Sequence, residues 1–292
     1  MKKKQLQEHN LKSYEKLIDS NSLIENFILK KKNIHFFNDH GFIIVKNLIE
    51  RKKINLVKES IDLNLQKYLK KSKIKKSKDI HHSLLDLRKK NRKNFSYLFD
   101  SLQTMNFNYD IMTSENVQKI VSKLLYVKTN LITLTDVALR LDPPIDKSNT
   151  LGWHQDSSYF RQNNSGKNGI VLWTPINKLT AKHGFLEFLD KSHRLGPLNI
   201  KKQNIKKKFS SSKRDIDEKQ ITNFNKIITY DLQLGDVLLM NLDIVHRSGN
   251  NVSSQFRFSL LGRFHNMIKE DFNSGLSIYR YSNKKLEKEI HG

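Results

Sequence analysis

The chain of 292 residues contains no cysteine. Disulfides, thiolate zinc sites, iron–sulfur clusters and cysteine nucleophiles are therefore excluded, and any metal must be held by histidine and carboxylate side chains. Long apolar runs are missing too. No stretch approaches the ~18 residues of a membrane span, and Gln5-Leu6-Gln7-Glu8-His9-Asn10, after Met1-Lys2-Lys3-Lys4, offers no apolar core for a signal peptide. A soluble, cytoplasmic protein is expected. Arginine is scarce beside lysine, 11 against 42, although the formal net charge is +24. Readers of nucleic-acid grooves rely on arginine forks, and here the excess charge gathers toward the two ends while the middle is nearly neutral. The lysine richness reads as compositional bias, so no specific nucleic-acid partner is expected.

With 37% hydrophobic and 28% charged residues the chain is polar but well outside the range of disordered proteins. Decorated all-β barrels reach this length as one unit, so a single domain over 34–268 is the expectation, with a basic segment before it (1–33) and a tail after it (269–292). Residues 1–33 read as a surface helix or adaptor. His40-Gly41-Phe42-Ile43-Ile44-Val45 reads as a short strand after a glycine turn, and Asn47 through Leu65 carries helical apolar spacing at Ile54, Val57, Ile61 and Leu65. Lys67–Lys78 reads as a basic loop, and 84–126 is again helical, giving helical support over 49–126. From 131 the period becomes two, with strands expected at Ile132–Leu141, Gly169–Pro175, Phe185–Leu189, Asp236–Asn241 and Phe256–Phe264. That is the pattern of an antiparallel barrel or jelly roll over 131–268, interrupted by a Lys- and Ser-rich insertion at 200–226.

Within this β region, Gly152-Trp153-His154-Gln155-Asp156-Ser157 sits at a strand end. Positions i and i+2 of a strand face one side, so His154 and Asp156 are able to share a metal. A lone His-x-Asp is commonplace, but Leu242-Asp243-Ile244-Val245-His246 offers a third ligand from a distant strand. Two histidines and one carboxylate form the facial triad of non-haem Fe(II) oxygenases, which leaves coordination positions open. Beyond it, Gln255-Phe256-Arg257-Phe258-Ser259 places Arg257 and Ser259 on one face and the aromatics on the other. An inward arginine needs an anionic partner; a dicarboxylate cosubstrate meets that need, and so does a structural Arg–Asp bridge. The adjacent pair His81 and His82 would diverge on a strand, and His183, His193 and His265 have no carboxylate two positions away, which makes all of them poorer ligands.

The order His154-x-Asp156, His246, Arg257 resembles the phytanoyl-CoA dioxygenase family of Fe(II)/2-oxoglutarate oxygenases. Asp39 through Leu48 looks like the family's opening strand, His183-Gly184-Phe185-Leu186 and Ser192-His193-Arg194-Leu195-Gly196 like its middle hairpin, and Gly235 through Asn241 like the strand leading to the distal histidine. The family usually has Pro-Gly before Ser-His, where this chain has Leu189-Asp190-Lys191. The resemblance implies a mainly β protein with flanking helices around a double-stranded β-helix (a cupin-like jelly roll), iron on His154, Asp156 and His246, and 2-oxoglutarate chelating that iron. It further implies a cosubstrate carboxylate on Arg257 assisted by Ser259, with Trp173 walling the pocket. The implied reaction consumes O2, releases succinate and CO2, and hydroxylates a small-molecule substrate; halogenases of this kind have a small residue where Asp156 stands. A lid role for the insertion, through Lys201, Lys202, Lys206, Lys207, Lys208, Lys213 and Arg214, would suit an anionic substrate. Two other readings compete: a non-redox metal-binding barrel, and a basic nucleic-acid or membrane-surface adaptor.

Overall fold

The computed structural model describes residues 22–146, 151–160, 162–163, 165–201, 214–229 and 232–273. The chain opens with β1 (Leu23–Ile24), α1 (Lys31–His40) and β2 (Phe42–Val45), followed by α2 (Arg51–Lys71), α3 (Ile80–Lys90), α4 (Arg92–Gln103), α5 (Asn106–Met112) and α6 (Glu115–Leu124). Then come β3 (Ile132–Asp142), β4 (Gly169–Pro175), β5 (Leu186–Leu189), β6 (Lys226–Ile228), β7 (Val237–Asn241), β8 (His246–Ser248) and β9 (Arg257–Asn266). The strands form a six-stranded sheet in the order β1-β2-β7-β4-β9-β3 and a three-stranded sheet in the order β6-β5-β8. The jelly-roll expectation stands, with the larger sheet open: β1 and β3 are its two edges.

Strand alternation divides the larger sheet into two apolar faces. Ile43 and Val45 of β2, Ile170 and Leu172 of β4, Val237 and Leu239 of β7, and Phe258, Leu260 and Phe264 of β9 pack against the helices. Their neighbours Phe42, Ile44, Val171, Trp173, Leu238, Met240 and Leu261 face inward, onto Leu186 and Phe188 of β5 and Ile227 of β6. The helical layer forms because α2 carries Ile54, Val57, Ile61 and Leu65 along one stripe, all fully buried. Gly262 lets a helix come close, since a Cβ there would lie 2.7 Å from the Met112 sulfur. At the β3 edge the Gln103 amide continues the ladder: its Oε1 accepts from Leu139 N at 3.0 Å and its Nε2 donates to Leu139 O at 2.8 Å.

Several expectations need correction. The boundary at 33 does not hold, because Leu23–Ile24 pairs in parallel with Ile44–Val45 and α1 runs across it. The expected loop at Lys67–Lys78 is shorter: α2 continues to Lys71 because Tyr68 and Leu69 are buried against the core. His81 and His82 lie on α3, where Asp79 caps the helix through His81 N, and the His81 ring stacks on Phe258 and accepts from Phe256 N at 3.1 Å. The insertion's basic part, including Lys202, Lys206, Lys207, Lys208 and Lys213, lies outside the described residues. Its base is anchored where Ile200 bridges Ile216 and Ile216 N donates to Trp153 O at 2.7 Å.

The turn after β5 shows what the departure from Pro-Gly costs. Lys191 adopts the left-handed conformation with φ 63°, a geometry that costs an L-residue roughly 1–2 kcal/mol. Its exposed pairing with Asp39 at 2.8 Å recovers little of this. Lys191→Gly is expected to raise stability by about 0.5–1 kcal/mol, whereas Gly41→Ala should lower it, because φ is 81° there and the new Cβ would lie 2.4 Å from the His193 ring. Thermal unfolding of the two variants tests both signs.

Candidate metal centre

His154 and His246 meet through their backbones. His154 N donates to His246 O at 3.0 Å and His246 N donates to His154 O at 2.9 Å, an antiparallel pair that sets the two rings 4.2 Å apart. Between the two ligands of the first segment, Gln155 points away and is fully buried. Its Nε2 donates to Gly196 O and Asp243 O at 2.8 and 2.7 Å, and its Oε1 accepts from Leu198 N at 2.8 Å. That clamp fixes the segment, so its two neighbours present their side chains to the interior. Asp156 then opens a single 3-10 turn, Asp156–Ser158.

Each ligand imidazole has one nitrogen committed. His154 Nδ1 bonds Gly152 O at 2.8 Å and His246 Nδ1 bonds Ile244 O at 3.0 Å. Because a carbonyl only accepts, Nδ1 carries a proton in both rings, and in the neutral form each Nε2 keeps its lone pair. Those lone-pair atoms lie 3.7 and 3.6 Å from Asp156 Oδ1. Ligand atoms of all three residues fall within 4.8 Å of one another, and all three residues are buried. Burial, then the neighbouring His246, pushes the His154 imidazole down to about 3, against the pull of Asp156. For Asp156 burial alone would raise the pKa, but Arg263, His246 and His154 outweigh it and hold the carboxyl at about 2. A neutral imidazole and an ionised carboxylate are the forms that bind a divalent cation.

Around this triad one cavity is lined by Arg257, Ser259 and Trp173, and by Arg140, Asp142 and Arg263, which the sequence reading did not single out. Arg257 is held by Asp142, with Nε and Nη2 donating to Oδ2 at 3.3 and 3.0 Å. Its Nη1 donates to the carbonyls of Gly184 and Gly249, the latter at 3.1 Å. The two backbones approach so closely that a Cβ on Gly184, where φ is 73°, would lie 2.4 Å from Gly249 C. The Arg–Asp bridge left open by the sequence is thus present, in the same cavity as the triad. Asp142 also accepts from Arg140, Nη2 to Oδ1 at 2.7 Å.

Arg263 supports the metal ligand itself. Its Nε donates to Asp156 Oδ2 at 3.0 Å, its Nη1 donates to Asp136, and its guanidinium lies 4.2 Å from the Phe160 ring centroid. The signal for it was available, since 257, 259, 261 and 263 share one face of β9. Asp142 was hidden because only the β3–β9 register, which sets Asp142 opposite Arg257 and Arg140 opposite Ser259, brings it there. Among the other histidines, His183 Nδ1 caps a turn through Thr180, His193 Nε2 bonds Asn38 O and His265 Nδ1 bonds Asn163 Oδ1.

The sequence pattern of the phytanoyl-CoA dioxygenase (PhyH) family matches residues 37–259. The chain belongs to that family. No curated protein matches the sequence significantly. Solved structures share the architecture. The epimerase SnoN in complex with Fe3+, alpha ketoglutarate and nogalamycin RO is 12% identical with a TM-score of 0.55, covering 84% of this chain and 86% of its own. EvdO2 from Micromonospora carbonacea var. aurantiaca complexed with 2-oxoglutarate is 15% identical with a TM-score of 0.54 over 82% and 91%. The non-heme monooxygenase ThoJ in its apo form is 18% identical with a TM-score of 0.51 over 79% and 75%. At such identities the likeness concerns the fold. No helix among the described residues of this PhyH protein is long and apolar enough to cross a membrane.

Two tests follow from the geometry. Arg263→Gln should leave the three ligand side chains in place but free Asp156 to rotate, weakening Co(II) binding about 10–100-fold by spectroscopic titration. The second concerns acid sensitivity. Burial pushes His265 down to about 4, and His81, His183 and His193 are lowered in the same direction, chiefly by burial. Unfolded, these imidazoles take up protons below about 6.5; folded, they take them up only at lower pH. The unfolded state therefore binds more protons, and the metal-free protein should lose thermal stability as pH falls from 7.5 to 5.

Proposed function

We propose that the protein is a non-haem Fe(II)/2-oxoglutarate-dependent dioxygenase that hydroxylates a small-molecule substrate. The observation that carries this reading is the convergence of the His154 and His246 Nε2 lone pairs on Asp156 Oδ1, with a buried Arg257 in the same cavity. The donor set, two imidazoles and a carboxylate with no thiolate, suits Fe(II). Bound iron, with 2-oxoglutarate and O2, would supply oxidation of an unactivated C–H coupled to decarboxylation of the cosubstrate to succinate and CO2. What falls to the chain is binding, orientation and exclusion of water.

His154, Asp156 and His246 would hold the iron, and Arg257 would take the distal carboxylate of the cosubstrate. Asp142 occupies that guanidinium edge but has a second partner in Arg140, so it can yield the edge without becoming an unpaired buried charge. Charge arithmetic supports the scheme. Arg140, Arg257 and Arg263 balance Asp136, Asp142 and Asp156 in the cavity and behind it. Iron(II) adds two positive charges and 2-oxoglutarate two negative, so the loaded site stays neutral in a desolvated setting. Ser259 offers a hydroxyl beside Arg257, and Trp173 closes the inner wall. Asp156 fills the position where halogenases admit halide, which favours oxygen transfer.

His246→Ala should abolish Fe(II) binding and turnover. Arg257→Ala should raise the 2-oxoglutarate requirement sharply while iron content survives, since loss of a buried charge-assisted pair costs ~2–5 kcal/mol. Incubating the anaerobically iron-loaded protein with 2-oxoglutarate, O2 and a metabolite extract should give succinate and a product heavier by one oxygen atom. Succinate with a product of unchanged mass would reassign the reaction to epimerisation, and loss of two hydrogens to cyclisation. Iron bound without any 2-oxoglutarate turnover would point to the non-redox metal barrel.

A further inference from the structure

The cavity around the triad has little free space, about 30 Å3. Arg140, Asp142 and Leu151 line it on one side, and the same three residues line a groove of about 340 Å3 between α4 and β3. The groove therefore borders the metal centre at the β3 edge. Arg92, Phe95 and Phe99 of α4 form one wall, at the three- and four-residue spacing of a single helical face, and Ala138, Leu141 and Pro143 form the other. None of the α4 residues reaches the metal cavity.

The charges along this path are distinct. Arg140 and Asp142 neutralise each other at the junction. Arg92 is exposed, rests over the Phe95 ring at 5.5 Å and has no carboxylate partner among the described residues. Asp100 lies two turns further along the same wall and opposes a second anion there. With the loaded metal site neutral, an anionic group of a substrate would have no counter-charge at the iron and would find one at Arg92.

We propose that this groove holds the primary substrate, a monoanion with an aromatic or alicyclic body: its anionic group on Arg92, its ring against Phe95 and Phe99, and its uncharged far end passing Leu151 and Arg140 to the metal. The oxidised carbon is then remote from the anionic group. The inference rests on the iron/2-oxoglutarate reading of the triad and deepens it.

The test uses the full chain loaded with Co(II) and 2-oxoglutarate, whose own binding is measured first, so that failure of the metal and cosubstrate reading is seen separately. The probes are 4-phenylbutyrate, 4-cyclohexylbutyrate and their neutral amides, titrated calorimetrically. The acids should bind about tenfold tighter than the amides, as one charge-assisted pair provides. Arg92→Gln should erase that difference while Co(II) binding is unchanged, Arg92→Lys should restore part of it, and Phe99→Ala should weaken acid and amide alike. Paramagnetic relaxation by Co(II) should be stronger for ring protons than for protons beside the carboxylate. No acid binding, acid and amide binding equally, a preference unaffected by Arg92→Gln, or the reverse order of relaxation would each overturn the proposal.

Discussion

Three guanidinium groups inside a small jelly roll set the terms for everything near the metal centre. A buried charge left alone is worth several kcal/mol of destabilisation, and breaking one partner from a buried pair costs ~3–5 kcal/mol. The chain meets this by threading carboxylates between the arginines: Asp136 and Asp156 on Arg263, Asp142 shared by Arg140 and Arg257. One of those carboxylates, Asp156, also belongs to the candidate metal triad. The ion-pair network and the metal site are therefore one construction, and the orientation of Asp156 is decided by Arg263 before any cation arrives.

The sheet makes that construction possible. β9 lies between β4 and the edge strand β3, with Phe258, Leu260 and Phe264 facing the helices and Arg257, Ser259 and Arg263 facing the cavity. A shift of one residue in its register would exchange the two sets. Ten paired positions with β3 and further pairing with β4 hold the register, and the apolar face enforces it because the aromatic side chains have no other place to be buried.

Much of this was legible in the residues. His154, Asp156 and His246 could be read because two candidate ligands lie two positions apart and the third follows the apolar strand Val237–Asn241; Arg257 and Ser259 could be read from strand alternation. The helices showed through stripes such as Ile54, Val57, Ile61 and Leu65. What did not show depends on tertiary pairing. β1 is two residues long and exists only because β2 offers an edge, and β8 contains His246 and two polar residues whose strand conformation comes from β5. The Asp142 bridge follows from register across more than a hundred residues of chain. Lys191 in a left-handed turn contradicts local preference, and the contacts of the hairpin around it override that preference.

Gln103 has a consequence beyond closing a local hydrogen-bond ladder. β3 is the longest strand and lies at the rim of an open sheet, which is the arrangement that invites another chain to add on. By offering one acceptor and one donor to Leu139, the glutamine amide imitates a neighbouring strand for a single residue and then stops, since a side chain has no next peptide to extend the pairing. At Leu139, where the rim passes beneath α4, both backbone groups are already occupied and closed to an added strand.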